Sequence, residues 1–170
     1  MLTVAVAVFA PMLLETLLAS MNERAQRARG GVEPADDIYK MMRIAYPGAF
    51  LVMLAERSVG GAPPIGVLLA GATLFAAAKA LKSWAIAALG PAWTFRVIVV
   101  PGAPLVGSGP YRFVRHPNYV AVVGELVGAA LMTGAFVSGP IATALFGMLL
   151  RKRIAVEDRM LGRPSTVKIV

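Results

Sequence analysis

The sequence has no cysteine, and it has a single histidine among 170 residues. The first absence excludes disulfides, thiolate metal sites and a cysteine nucleophile. The second excludes a zinc or haem centre built on several histidines. Charge is also scarce: only 15% of residues are charged, against 58% hydrophobic, and mean hydropathy is +0.70. A water-soluble domain carries about a quarter charged residues, and this chain cannot cover its surface with so little polar area. Disorder, a nucleic-acid-binding tail and a small secreted scaffold all fit poorly. The net charge of +8 therefore has to be read first as membrane topology.

Long apolar runs are what the chain does have, and a bilayer-spanning helix needs roughly 20 mostly apolar residues. Five runs stand out, at about residues 2–21, 39–55, 63–81, 118–137 and 140–154. The first is broken only by Glu15, and it is too long, and lacks the basic start, to read as a cleavable signal. Lys79 and Lys82 close the third and are expected to reach the interface. The fourth carries one acid, Glu125, and Ser138-Gly139-Pro140 turns it into the fifth, which Arg151-Lys152-Arg153 ends as a membrane segment. With the N-terminus outside, sixteen of the seventeen basic residues fall on one side, and the positive-inside rule makes that side the cytoplasm. The expected architecture is an all-α integral membrane protein, a single domain over residues 1–170, in a bacterial inner membrane.

Two cytoplasmic stretches carry candidate chemistry. In Arg112-Phe113-Val114-Arg115-His116-Pro117-Asn118-Tyr119, the histidine is biased to extended backbone by the following proline, and Pro117 suits the first turn of a helix. The amides of that helix start, with the positive end of its dipole, favour a carboxylate or phosphate, and Arg112 and Arg115 add to the preference. The second stretch follows the fifth span, where a helix continuing out of the bilayer holds Glu157 and Asp158 at headgroup depth. Folding the last two spans as a hairpin brings these acids to His116 and Tyr119. A cationic, amide-rich wall then faces an acidic one, which suits a zwitterion with a carboxylate, an ammonium and hydroxyls. Between them, the long loop from Lys82 to Pro117 holds Trp84, Trp93, a β-prone run 96–100 and Pro101-Gly102-Ala103-Pro104. Loops longer than about 15 residues are more often functional than not.

Gly109-Pro-Tyr-Arg-x-x-Arg-His-Pro-Asn-Tyr, followed by Arg-Ile-x-x-Glu157-Asp158, resembles the signature of the isoprenylcysteine carboxyl methyltransferase family of integral-membrane S-adenosylmethionine-dependent methyltransferases. The likeness extends upstream through Trp93-Thr94-x-Arg96-Val97-Ile98-Val99-x-Pro101 and takes in Glu15, Ser20, Asn22-Glu23 and Ala28-Arg29-Gly30, as in a bacterial branch of that family. One departure is visible, since the family usually has Glu-Glu where this chain has Glu157-Asp158.

The resemblance implies a cofactor pocket for S-adenosylmethionine over about residues 93–161. His116, the amides of Pro117-Asn118 onward and Arg115 would meet the methionine carboxylate, Tyr119 would pack or hydrogen-bond at the cofactor, and Glu157 and Asp158 would take its ammonium or ribose hydroxyls. The reaction would be in-line methyl transfer to an oxygen of a lipophilic acceptor from the bilayer. A carboxylate acceptor needs no base, whereas a phenol with a pKa of about 10 does. Arg112 and Arg115 could stabilise the resulting anion, and Glu125 or His116 could take the proton.

Plainer readings exist for each residue. Arg112 and Arg115 are ordinary at a cytoplasmic membrane edge, and Trp84 and Trp93 serve as interface anchors. Glu157 and Asp158 can pair with Arg153 and Arg159 on an exposed helix. Glu15 and Glu125 differ, because an acid within a span is costly and by default functional; a basic or hydroxyl partner would also satisfy either. Three alternatives to an O-methyltransferase stand: a small transporter with Glu15 and Glu125 on its pathway, a phospholipid N-methyltransferase, and a structural partner without cofactor.

Overall fold

In a computed structural model the described residues are 1–162, and they are helical throughout apart from loops. The basic residues Arg163 and Lys168, counted above as cytoplasmic, lie outside them. Five α-helices follow in order: α1 (Leu2–Ala28), α2 (Tyr39–Gly60), α3 (Ile65–Leu89), α4 (Pro117–Thr133) and α5 (Ser138–Met160). Two short 3-10 turns, Gly90–Ala92 and Gly109–Arg112, sit in the long loop. The β-prone run contributes an isolated antiparallel bridge, Val32 to Val99, and no strand among the described residues.

The helices are apolar on the outside. Leu13, Leu14 and Leu17 of α1 are each more than 60% exposed, and water would not tolerate such a surface on this scale. Two helices, Leu2–Ala28 and the stretch Ile65–Ala92, are long and apolar enough to cross a membrane. Each helix outlasts its predicted span except α4. The third span was expected to end near Leu81, but α3 continues two turns to Leu89, so the long loop begins at Gly90. The fourth was expected to reach Val137. It stops at Thr133, because Gly134 takes the left-handed conformation (φ 69°) and the amides of Gly134 and Ala135 turn back to the carbonyls of Leu131 and Ala130, a Schellman closure.

Packing centres on α3 and α4. A Cβ on Gly71 would come within 2.6 Å of the Met132 amide nitrogen, and one on Gly128 within 2.8 Å of that of Phe75. Glycine at these two places lets the backbones approach, as is common between helices in lipid. Around this pair, Phe50 and Met53 of α2, Val8 of α1 and Phe146 and Leu150 of α5 complete the apolar core. At the far end from the site, the Glu56 carboxylate accepts the amides of Val137 (3.1 Å) and Ser138 (2.7 Å). It caps α5 from another helix, favoured by the dipole.

The core also holds charge. Glu15, Lys79, Lys82 and Glu125 meet in one cluster: Lys79 Nζ lies 3.0 Å from both Glu15 Oε1 and Glu125 Oε2, and Lys82 Nζ lies 2.6 Å from Glu15 Oε2 and 3.4 Å from Glu125 Oε1. The Tyr46 hydroxyl donates to Glu125. Lys82 is 3% exposed. This corrects the expectation that Lys79 and Lys82 reach the interface. Two acids at the same depth hold both ammonium groups inside, and ion pairing in low dielectric outweighs the gain from snorkelling. These two lysines therefore drop out of the positive-inside count.

Candidate functional site

The site is built where the C-terminal ends of α1 and α5 and the N-terminal end of α4 meet the long loop. Pro117 starts α4 with His116 just outside it (φ −129°), as the missing proline amide and its fixed φ dictate. On the first turn of α4, His116 and Tyr119 stack with ring centroids 5.4 Å apart. Helix α5 does continue past Leu150 to Met160. It brings Asp158 Oδ1 to 3.1 Å from His116 Nε2, and Glu157 Oε1 to 3.8 Å from His116 Nδ1. The Tyr119 hydroxyl donates to Glu157 Oε2 at 2.5 Å.

These groups border a cavity of about 480 Å³. Its wall includes Arg115, His116, Asn118, Tyr119 and Glu157 on the helical side and Trp93 to Leu105 on the loop side. Asp158 is 3% exposed and stands behind His116, off the cavity wall. Pro117 is buried at the helix start. Arg112 is exposed, with its guanidinium 4.4 Å from the Phe113 ring, and is likewise off the wall. Glu125 is not on the wall either, because it sits two helical turns deeper along α4, about 10 Å at 1.5 Å per residue, inside the buried cluster. The two walls expected to face each other are thus in contact through His116, and Glu157 is the acid that reaches the cavity.

The loop side is held by α1, which remains helical past its apolar run to Ala28. Asn22 Nδ2 donates to the carbonyls of Gly90 (3.2 Å) and Trp93 (2.8 Å), and Gln26 Nε2 to that of Pro91 (2.6 Å). Trp93, expected as an interface anchor, is 3% exposed and lies on the cavity wall, its indole N–H 3.5 Å from Asn118 Oδ1. These α1 amides pull the loop, and its tryptophan, inward. Trp84 is half exposed, as an anchor would be.

Several residues here carry no motif. Arg153 is 4% exposed and binds Asp37, the Phe95 carbonyl (2.5 Å) and the Tyr119 hydroxyl (3.3 Å). Arg159 pairs with Asp36, at 2.6 Å. Both arginines therefore bind the first loop, and neither pairs with Glu157 or Asp158 as the plainer reading expected. In the same loop Glu33 bridges Arg27 and Arg96, the latter at 2.7 Å, and Asp37 Oδ2 accepts the Val97 amide at 2.9 Å. Partial burial pushes the Glu33 carboxyl upward, but the hydrogen bonds from Arg96 and Arg27 prevail and hold it below its ordinary value. The hydrogen bond from Arg159 lowers Asp36. Run in sequence, the acids Glu33, Asp36 and Asp37 opposite basic α5 were the available signal; apart from Arg27, their partners lie 60 or more residues away.

A second cavity of about 170 Å³ adjoins the first, with Thr94, Asn118, Tyr119 and Arg153 on the walls of both. It is lined by Met12, Met42, Val122, Phe146 and Leu150 and ends on Glu15, Tyr46 and Lys82. One polar cavity at the loop end of the bundle and one apolar cavity among helices thus share a wall.

Residues 70–163, more than half of the chain, match the model of the isoprenylcysteine carboxyl methyltransferase (ICMT) family. The chain belongs to that family, and as such is membrane-associated and of the methyltransferase class. It is 30% identical over 147 residues to the uncharacterized protein YpbQ of Bacillus subtilis (strain 168), covering 86% of this chain and 88% of the relative. It is 22% identical over 138 residues to an uncharacterized protein of Haemophilus influenzae, covering 81% and 80%. No solved structure matches.

Proposed function

We propose that this protein transfers a methyl group from S-adenosylmethionine to an oxygen of a lipophilic acceptor drawn from the bilayer. The observation that carries this reading is the shared wall: a polar cavity edged by His116, Tyr119 and Glu157 opens beside an apolar cavity between the helices. The polar cavity has the size of a small-molecule site, and those usually run about 300–1,000 Å³. Its groups suit the cofactor. Arg115, His116 and the first amides of α4 would hold the carboxylate, Glu157 the ammonium or ribose hydroxyls, and the stacked His116–Tyr119 pair offers a π-face to a sulfonium. Asp158 acts through His116, fixing its ring. The cofactor supplies an activated methyl group, and the protein's own part is positioning, which can contribute as much as roughly 7–11 kcal/mol in ideal cases.

In this reading all five helices cross the membrane, with the N-terminus outside and the cofactor cavity on the cytoplasmic side. The basic residues of the first loop, the long loop and the end of α5 support that orientation, and in a bacterium the membrane is the inner one. Helix α4, with 17 residues, is about 25 Å long at 1.5 Å per residue and reaches both interfaces only with its flanking turns.

Calorimetric titration of the detergent-purified protein with S-adenosylmethionine tests the proposal. Saturable one-to-one binding is expected, and folded protein that shows none overturns it. Membrane lipid extract incubated with protein and methyl-labelled cofactor should yield a labelled apolar product.

A further inference from the structure

The outer cavity extends beyond the His116 cluster. Several of the basic residues on its wall are engaged: Arg153 by Asp37, Arg96 by Glu33 and Glu23, and His116 by Asp158. Arg29, the C-cap residue of α1, lines the same cavity. It is exposed, and its guanidinium has no partner among the described residues. It also lies outside residues 70–163, the stretch that the family model matches. Which ligand group it could meet depends on where it stands.

Helix α1 gives the depth. Asn22 bonds the carbonyls of Gly90 and Trp93, and the Trp93 indole reaches Asn118 on the first turn of α4, so Asn22 marks the level of the wall that the two cavities share. The α1 residues of the inner cavity, Met12, Glu15 and Thr16, come before it. Arg29 comes seven residues after it, about 10 Å further along the axis at 1.5 Å per residue, on the side away from the inner cavity. The antiparallel bridge of Val32 with Val99 lays the chain just before Val32 beside the chain just after Val99. The approach is close, since a Cβ on Gly31 would come within 2.5 Å of Ile98 Cγ2. Beside Arg29 the cavity wall is apolar, formed by Val99, Val100, Leu105 and Val106, and Leu105 is 52% exposed.

We propose that Arg29 closes over the adenine of S-adenosylmethionine, against Val99, Val100 and Leu105, so that α1 supplies one wall of the cofactor site. The proposal rests on the methyltransferase reading above and deepens it. In that reading the transferred methyl group lies at the shared wall, and Arg115, His116 and Glu157 beside it take the methionine arm. The apolar stretch next to Arg29 is what remains for the nucleoside arm. A flat, uncharged, π-rich base suits these two surfaces, because aliphatic side chains pack on one face and a planar guanidinium stacks on the other. A carboxylate placed at Arg29 instead would forgo the first amides of α4 and the positive end of that helix.

The test is equilibrium binding to the detergent-purified full chain, with no acceptor present. Two ligands are compared: tritiated S-adenosylmethionine, and 5′-methylthioadenosine as its competitor, which has the nucleoside without the methionine arm. Arg29→Met should weaken both by the same factor, about three- to tenfold, the scale of a cation–π contact. Its thermal unfolding midpoint should stay at the native value, since Arg29 is exposed and unpaired. Arg115→Met, on the methionine side, should weaken S-adenosylmethionine and leave 5′-methylthioadenosine within about twofold. If Arg29→Met instead weakens S-adenosylmethionine alone, Arg29 meets the carboxylate and the proposal is overturned. If the native chain binds both ligands and Arg29→Met changes neither, this assignment falls while the methyltransferase reading stands. A folded native chain that binds neither ligand overturns both.

Discussion

Two charge clusters stand about two turns apart along α4, and they follow opposite rules. The outer one (His116, Glu157, Asp158, Arg153) borders a large cavity; Arg153 is tied to Asp37 and Phe95 of the loops, and Glu157 to Tyr119 of α4. The inner one (Glu15, Lys79, Lys82, Glu125) is joined helix to helix, and its charges balance. Where water reaches the site, a missing partner is replaced by solvent and the loss falls on ligand binding. Where water is excluded, the number of charges is itself the constraint, and the loss falls on folding. A change of charge in the outer cluster is therefore expected to act on binding, and one in the inner cluster on stability.

The largest expected effect breaks the inner cluster. Lys82→Met alone leaves two buried carboxylates with one ammonium and should cost about 3–5 kcal/mol, seen as a large drop in the thermal unfolding midpoint in detergent. Adding Glu15→Gln should restore more than half of it. If the single variant melts like the native chain, the cluster is not sealed from water.

Changes in the outer cluster should separate binding from stability. Glu157→Ala is expected to weaken S-adenosylmethionine binding at least about tenfold, or 1.4 kcal/mol, and, since Glu157 is only partly exposed and accepts the Tyr119 hydroxyl, to lower stability by no more than about 1 kcal/mol, the scale of one hydrogen bond. Calorimetry and melting on the same sample check both. Asp158→Asn keeps the shape beside His116 but removes its charge partner. A smaller loss of cofactor affinity is expected than for Glu157→Ala, because Asp158 is off the cavity wall; an equal or larger loss would place it on the cofactor.

The smallest effect concerns the strap formed by the first loop. Glu33 is held below its ordinary value by Arg96 and Arg27 against its partial burial, and Asp36 is lowered by Arg159. Their contributions are complete above the ordinary carboxylate range of about 4, and they are lost as pH falls through the lowered folded-state values. Amide exchange at Val32 and Val99, which bond each other across the bridge, should therefore quicken below about pH 4, and Glu33→Gln should flatten that dependence. Exchange that stays equally slow at low pH would show that the strap does not depend on these acids.

Much of the fold was legible because lipid writes itself into composition. Five apolar runs became five helices, and the expected α4–α5 hairpin formed, although it turns at residues 134–137 and Ser138-Gly139-Pro140 opens α5 instead of making the turn; that hairpin brought Glu157 and Asp158 to His116 and Tyr119 as expected. The boundaries were less legible, since Gly134 ended α4 early through a turn that only its backbone conformation reveals. Lys79 and Lys82 were misplaced for a clear reason. Their position near a span end is compatible with snorkelling, and nothing local indicates that Glu15 and Glu125 lie at the same depth. Trp93 was misplaced in the same way, because its burial depends on Asn22 and Gln26, some 65 to 71 residues away.

By itself the sequence determined the solvent, the helical class, the family and the block that starts α4, because each depends on composition or on residues a turn or two apart. Tertiary structure alone decided which charges meet. The same scarcity of charge that marks the chain as a membrane protein leaves each buried ion few possible partners, and those partners come from different helices. Whether Lys82 reaches water or Glu15, and whether Arg153 meets Glu157 or Asp37, depends on helix depth and rotation, which are set by packing across the whole bundle and are not written in any local run of residues.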